Sequence, residues 1–573
     1  MERPDGLGRW MPGLELLRRR RGEDLRRDVV AGAVLAALLV PQGMAYAQLA
    51  GLPPVTGLYA TLVPLVVYFL LGPSRILVLG PDSAVSPLVA AAIVPLATAG
   101  DESARVALAG LLALLVGSIM LAGGFSRFGF VTELLSMPVR LGYLMGIAVT
   151  VIVAQLPKLF GFSTDAESFL RGVRDFLAGL DETDPTALAI GVGSLVLILG
   201  LRRVAPKLPG VFVAVVGATA VVAALGLADE VPVVGDVPAG LPSFGLPDVS
   251  FDDLKTLVPA AVGIAFIAFA DTSVLSRSYA GRLHEEVDQN HELAALGVAN
   301  IATGFFQGFP VSTSSSRTAV AEDIGAGSQV TGLVGGGILA VLLVVGTGLV
   351  HDLPQATLAA IVMVAVVGLI DIAGARRLLD WRGSEFALAM VAFAGVAVLG
   401  VLWGVGIAIA LSLLNFIRRA WHPHDAVLGR VDNLKGYHDT ERYPDARQVP
   451  GLVLYRFDAP LFFANADFFR ERVRALSRAG DVNWIVVAAE PITDIDATAG
   501  ETLRDLKDEL DAMRVELAFA ELKDPVRDRL RRYGIETAIG SDRFFPTLGV
   551  AVAAYLDATR VDWLDWEDRP PDA

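Results

Sequence analysis

The chain has 573 residues, 54% of them hydrophobic, a mean hydropathy of +0.56 and a formal net charge of −15. That apolar balance excludes an ordinary soluble globule, and the acidic net charge excludes a nucleic-acid binder. With no cysteine there is neither a disulfide framework nor a thiolate metal or redox site, and the six histidines show no metal-ligand spacing.

Charged residues make up 19% of the chain but are unevenly spread. They are sparse from residue 29 to 416 and dense from 418 onward, so a membrane part and a soluble part share one chain. The expected organisation is a cytoplasmic N-terminal segment over 1–28, a transmembrane domain over 29–420, a linker over 421–448, an α/β domain over 449–562 and a tail over 563–573. Near the N-terminus, Arg18 to Arg21, Arg26 and Arg27 precede an apolar run with no small-residue cleavage site at the right distance. This segment reads as a cytoplasmic anchor rather than a cleaved signal.

A bilayer core needs about 20 apolar residues per helix, and on that measure about fourteen spans follow. They centre on 29–50, 56–72, 82–97, 104–123, 134–157, 186–203, 210–228, 256–279, 290–306, 313–325, 329–350, 355–371, 384–399 and 401–417. With the N-terminus inside, the cytoplasmic loops hold Arg75, Arg127, Arg202, Arg203, Lys207, Arg277, Arg282, Arg376, Arg377 and Arg382, and the last span ends at Arg418 and Arg419. The opposite loops are acidic, at Asp101, Glu102, 165–184, 229–253 and Asp352, with Lys158, Arg171, Arg174 and Lys255 as exceptions. The bias predicts an even number of spans with both ends cytoplasmic.

In the first span, Pro41 is expected to interrupt the helix, and Gln42 and Tyr46 share a face four residues apart. They could bond an oxyanion, although a polar kink packed against a neighbour explains them almost as well. The third and tenth spans are short and rich in small polar residues: Gly80-Pro81-Asp82-Ser83-Ala84-Val85-Ser86-Pro87 and Gly308-Phe309-Pro310-Val311-Ser312-Thr313-Ser314-Ser315-Ser316-Arg317. They hold matching places in two halves of about seven spans, which points to a binding site built from inverted repeats. The bland alternative is a pair of re-entrant loops that only pack.

Arg317 follows five consecutive Ser/Thr residues at membrane depth. If Ser314 to Ser316 open a half-helix, its free amides and the guanidinium together favour an anion. The competing reading is an arginine at the cytoplasmic edge, snorkelling to water. Asp271, closing the run Ala265-Phe266-Ile267-Ala268-Phe269-Ala270-Asp271, is the second intramembrane charge. A carboxylate that is charged in one state and neutral in another suits proton coupling; a static pair with Arg317 or Arg277 is the alternative.

Beyond 422, strands over 451–457, 484–489 and 516–520 alternate with helices over 467–479, 498–514 and 525–533, predicting a sheet covered by helices. In the link Asp494-Ile495-Asp496-Ala497-Thr498-Ala499-Gly500, Thr498 is a candidate helix start, with Asp496 placed to accept from the first amides, or, less directly, a regulatory phosphorylation site. No Walker motif, dinucleotide fingerprint or nucleophile elbow occurs, so the chain reads as neither an ATPase nor an enzyme.

The runs Val40-Pro41-Gln42-Gly43-Met44-Ala45-Tyr46-Ala47 and Ala50-Gly51-Leu52-Pro53-Pro54-Val55-Thr56-Gly57-Leu58-Tyr59 resemble the signature of the sulfate permease (SulP) family, the anion transporters that include pendrin and prestin. The resemblance continues through Gly72-Pro73-Ser74-Arg75, 290–300 and Phe309-Pro310-Val311-Ser312, and the C-terminal part is similar to a STAS domain. It implies an α-helical membrane protein of seven plus seven inverted spans, divided into core and gate domains, with a cytoplasmic α/β STAS domain. It also implies a homodimer in the inner membrane and a possible cytoplasmic protein partner at the STAS domain.

Carried onto this sequence, the resemblance implies an anion site at Gln42, Tyr46, Ser83, Ala84, Ser315, Ser316 and Arg317, with the family's acidic residue at Asp271. Leu275 stands where sodium-coupled bicarbonate members place a hydroxyl residue, which argues against sodium and for proton symport; no cofactor or metal is expected. The expected function is uptake of a small inorganic oxyanion, sulfate first, by elevator-like alternating access. Bicarbonate, chloride or a dicarboxylate such as fumarate is the alternative substrate, and an anion-sensing membrane signalling protein is the alternative class.

Overall fold

The computed structural model describes residues 12–13, 22–98, 100–129, 136–164, 169–205 and 208–568. Arg18 to Arg21, Lys207 and most of the expected N-terminal segment lie outside the described residues, as does the end of the tail.

The first half runs through α1 (Glu23–Leu49), α2 (Pro54–Leu71), a two-residue strand β1 (Leu79–Gly80), the short α3 (Ser86–Ile93), α4 (Glu102–Phe125), α5 (Met137–Leu159), α6 (Phe169–Ala178), α7 (Pro185–Val204) and α8 (Gly210–Leu225). The second half runs through α9 (Phe251–Leu283), α10 (Gln289–Phe305), strand β2 (Ser312–Thr313), the short α11 (Ser315–Asp323), α12 (Val330–Val345), α13 (Gln355–Val367), α14 (Ile372–Trp381), α15 (Gly383–Leu399) and α16 (Val401–Trp421). Among the described residues, seven helices are long and apolar enough to cross a membrane, and each expected span meets a helix. The two halves match in detail. Each puts a strand before its third, shortened span, and each puts an extra short helix, α6 or α14, between its fifth and sixth.

Pro41 does not interrupt α1, which continues through it for 27 residues. A proline deletes one ladder donor, and burial of most of the turn around it outweighs that single loss. Small residues let α1 and α2 touch backbone to backbone: a Cβ on Gly57 would fall 1.9 Å from the Gly43 carbonyl oxygen. Spans α1 to α4 pack with α9, α10 and α12, most closely where α10 lies on α4 and α12 on α1. A second bundle forms where α5 packs on α13 and α15, and α7 on α8 and α13. These are the core and gate; α8 and α13 touch α1 along their boundary.

Residues Leu413–Ala573 form a separate compact unit. Its sheet comprises β3 (Asp425–Arg430), β4 (Tyr437–Asp439), β5 (Leu452–Phe457), β6 (Trp484–Ala488), β7 (Glu516–Ala520) and β8 (Phe544–Phe545), in the order β4-β3-β5-β6-β7-β8. Strands β5 to β8 are parallel, whereas β3 pairs antiparallel with both its neighbours. The stretch expected to be a linker, 421–448, therefore supplies two strands of this sheet. Helices α17 (Ala466–Ser477), α18 (Ala497–Ala512), α19 (Asp524–Arg532) and α20 (Ile535–Ile539) cover one face, burying Phe469, Leu503, Leu506 and Leu530. Helix α21 (Leu548–Thr559) covers the other with Ala551 and Tyr555. Asp496, not Thr498, caps α18: its carboxylate accepts from the Ala499 amide at 2.8 Å, while Thr498 is exposed in the first turn. Asp496 wins because its own backbone is extended, which aims the side chain at the free amides.

Candidate anion and coupling site

The two shortened spans meet in mid-domain. Strand β1 pairs antiparallel with β2, Leu79 opposite Thr313 and Gly80 opposite Ser312. Side chains from neighbouring helices hold these extended segments where no sheet continues. Asn300 donates to the Val311 carbonyl at 3.1 Å and accepts from its amide at 2.9 Å. Gln329 donates to the carbonyls of Ser74 and Leu77. Each amide stands in for a missing strand partner, which satisfies irregular backbone at these positions. The stretch 290–300 thus has a concrete structural task.

Arg317 lies one turn beyond β2, and its side chain is fully buried at 0% exposure, which rejects the snorkelling alternative. Its Nη2 donates to the Pro81 carbonyl at 2.6 Å, tying the second shortened span to the first. Nε and Nη1 have no hydrogen-bond partner among the described residues. Tyr46, also buried, lies within electrostatic reach of Arg317 and Asp82 and beside Ser83. Gln42 is buried with its Oε1 unpartnered. Ser83 and Ala84 are buried ahead of α3. Ser314 caps α11, and its Oγ lies 3.2 Å from that of Ser316. Ser315 and Ser316 are exposed in the first turn of α11, unlike the buried residues around them. The structure therefore brings Tyr46 and Ser83 together near Arg317, whereas Gln42 and Ala84 are buried and Ser315 and Ser316 exposed.

Asp271 pairs with neither Arg317 nor Arg277. Its Oδ1 lies 3.4 Å from Arg140 Nη2, a residue of α5 in the other bundle. Tyr143, one turn along α5, and Asp82 also act on it electrostatically. Beside it, Thr272 accepts a hydrogen bond from Thr313 at 3.1 Å, so α9 is fixed to β2. Arg140, Tyr143 and Asp82 escaped the sequence reading. Arg140 looks like one more positive charge near a span's start, and Asp82 gains meaning only from its position between Arg317 and Asp271. Two further buried carboxylates went unnoticed. Asp28 accepts from the Gly327 amide and from Ser328 and Thr331. Glu292 accepts from Tyr68, Ser74 and Ser276. No group of histidine and acidic residues suited to a metal occurs among the described residues.

Comparison with known proteins identifies the family. The model for the sulfate permease family matches residues 25–392, and that for the STAS domain matches 443–551. A probable sulfate transporter of Mycobacterium tuberculosis is 43% identical over 549 residues, covering 95% of this chain and 98% of that one. The chloroplastic sulfate transporter 4.1 of Arabidopsis thaliana is 33% identical, covering 94% and 81%. The murine solute carrier 26 family member A9 anion transporter, solved in the inward-facing state, superposes with a TM-score of 0.89 at 24% identity, covering 96% of this chain and 94% of that one. The transmembrane domain of a cyanobacterial bicarbonate transporter gives a TM-score of 0.60 at 21% identity, covering 69% and 98%. With its helical repeat, its paired broken spans and its C-terminal α/β unit, the chain belongs to the sulfate permease family and is an anion transporter carrying a STAS domain.

Proposed function

We propose that this protein is a secondary active importer of a small inorganic oxyanion, sulfate first, driven by proton symport and working by elevator-like movement of the core bundle against the gate. The observation that carries the reading is the fully buried Arg317 guanidinium between two broken spans, with Nε and Nη1 left without acceptors. Buried donors of this kind, fixed in charge, call for an anionic acceptor. Gln42, Tyr46, Ser83, Ala84, Ser315 and Ser316 would complete the site. Naming sulfate draws support from the mycobacterial relative, described as a probable sulfate transporter and similar over nearly its full length.

Asp271 is the candidate proton carrier, since it lies inside the membrane domain against a residue of the other bundle. In this reading the protein sits in the cytoplasmic membrane as a homodimer with both ends inside, the orientation that the arginine-rich loops favour.

Uptake of labelled sulfate into proteoliposomes under an imposed inward proton gradient tests the proposal, with bicarbonate, chloride and fumarate as competitors. Sulfate accumulation that collapses with the gradient is the expected result; no uptake, or uptake indifferent to the gradient, overturns the symport reading. Arg317→Ala should weaken sulfate binding by roughly tenfold or more, since a hydrogen bond to a charged group contributes about 1.5–3 kcal/mol. Unchanged affinity in purified protein would refute the site.

A further inference from the structure

We infer that Arg140 is the gate-side half of the coupling device: its pairing with Asp271 latches the two bundles together, and neutralisation of Asp271 by a proton releases them. The inference rests on the symport reading and adds the residue that senses the proton. The geometry is specific. Asp271 belongs to α9 in the core, Arg140 to α5 in the gate, and Arg140 Nη2 approaches Asp271 Oδ1 at 3.4 Å. The side chains are 33% and 16% exposed, while Asp271 Oδ1 itself is buried and makes no hydrogen bond, so the contact is a partly screened ion pair. Among the described residues it joins the one intramembrane carboxylate of α9 to the bundle against which α9 would have to slide.

The physics gives the direction. An ionised Asp271 is attracted to the guanidinium, and separating the two bundles would leave both charges exposed to a poorly solvating interior. A protonated Asp271 loses that attraction, so movement becomes easier only after proton binding. Arginine suits the fixed half because it keeps its charge at every relevant pH. The other groups that act on Asp271 are Tyr143 from α5 and Asp82 from the link between β1 and α3. Asp82 also faces Arg317 and Tyr46, so the carboxylate that touches the proton site electrostatically also touches the anion site. That shared neighbour offers a physical route by which anion arrival and proton arrival favour each other.

Arg140→Gln, Asp271→Asn and the charge exchange Arg140→Asp/Asp271→Arg should be reconstituted at full length and assayed between about pH 5 and pH 8. For Arg140→Gln, gradient-driven sulfate accumulation is expected to drop by at least about fivefold, the lower end of ordinary coupling between sites. Its initial rates should become insensitive to pH, while equilibrium sulfate binding stays close to wild type. The charge exchange keeps one carboxylate facing one guanidinium across the bundles, so it should restore pH-dependent transport that either single neutralisation abolishes. If Arg140→Gln fails to fold, Arg140→Lys serves instead, expected to shift the midpoint of the pH profile because the positive charge moves relative to Asp271. A wild-type pH profile in Arg140→Gln, or in Arg140→Lys where that is used, overturns the inference. The two readings separate cleanly: Asp271→Asn with intact pH dependence sinks proton coupling through Asp271, whereas a flat Asp271→Asn beside a wild-type Arg140→Gln sinks only the latch.

Discussion

At Gly80 the backbone takes φ +144°, and a Cβ there would lie 3.0 Å from Arg317 Nη1. The position is closed to side chains for two reasons at once, one in the backbone and one in the guanidinium it faces. Gly80→Ala is therefore expected to cut sulfate affinity and lower the melting temperature together, as isothermal titration and scanning calorimetry would record. A change in stability with no change in affinity would detach Gly80 from the anion site. Asp28 poses a different problem. Its buried carboxylate receives hydrogen bonds from the Gly327 amide and the Ser328 hydroxyl ahead of α12 and from the Thr331 hydroxyl in its first turn, so Asp28→Ala strands several donors. Each stranded buried donor costs about 1–3 kcal/mol, and a marked loss of thermal stability is expected, measurable by scanning calorimetry. Arg317 could be picked out in the sequence because an arginine amid serines at membrane depth demands an explanation. Asp28 and Glu292 could not, since their meaning lies in hydroxyls contributed by distant segments.

At the level of elements, α17 and α18 of the STAS domain are joined by Arg470 and Glu509. The hydrogen bond from Arg470 holds the Glu509 carboxyl below its ordinary value of 4.5. A carboxylate lowered in the folded state adds stability that is complete above that ordinary value and fades as pH falls through the lowered one. Unfolding of the STAS unit, followed calorimetrically in the full chain, should accordingly soften on acidification below about pH 4.5. Arg470→Gln should remove that part of the pH dependence. The cap of α18 gives a second comparison. Asp496→Ala loses bonds to the amides of both Ala499 and Phe463 and should destabilise by about 1 kcal/mol or more, whereas Thr498→Ala should change little. The reverse order would return the cap to Thr498. Most elements here were legible because apolar runs and alternating strands obey short-range periodicity. The exceptions are instructive: α1 runs through Pro41, and β3 and β4 sit in a stretch that reads as a linker because it is polar and carries little strand periodicity.

For the whole molecule, the two halves repeat even in their minor features, the strand ahead of the third span and the short helix after the fifth. Two insertions of opposite sense bring the equivalent broken spans face to face, and the β1–β2 pair records that meeting. The outward faces of α15 and α16 carry exposed apolar side chains such as Val391, Val398, Leu399 and Trp403, suited to lipid or to a second copy. Light scattering coupled to size exclusion in mild detergent should return a dimer mass for the full chain; a monomer that still transports would remove the dimer from the mechanism. Sequence alone determined the number of spans, the repeat, the family and the two shortened segments, because each follows from local composition or from order along the chain. Tertiary structure alone decided that Arg317 is buried and bridges to Pro81, and that Asp271 faces Arg140 across the bundles. Charge pairing depends on distance in space, and residues 131 positions apart or more become partners only once the helices have packed.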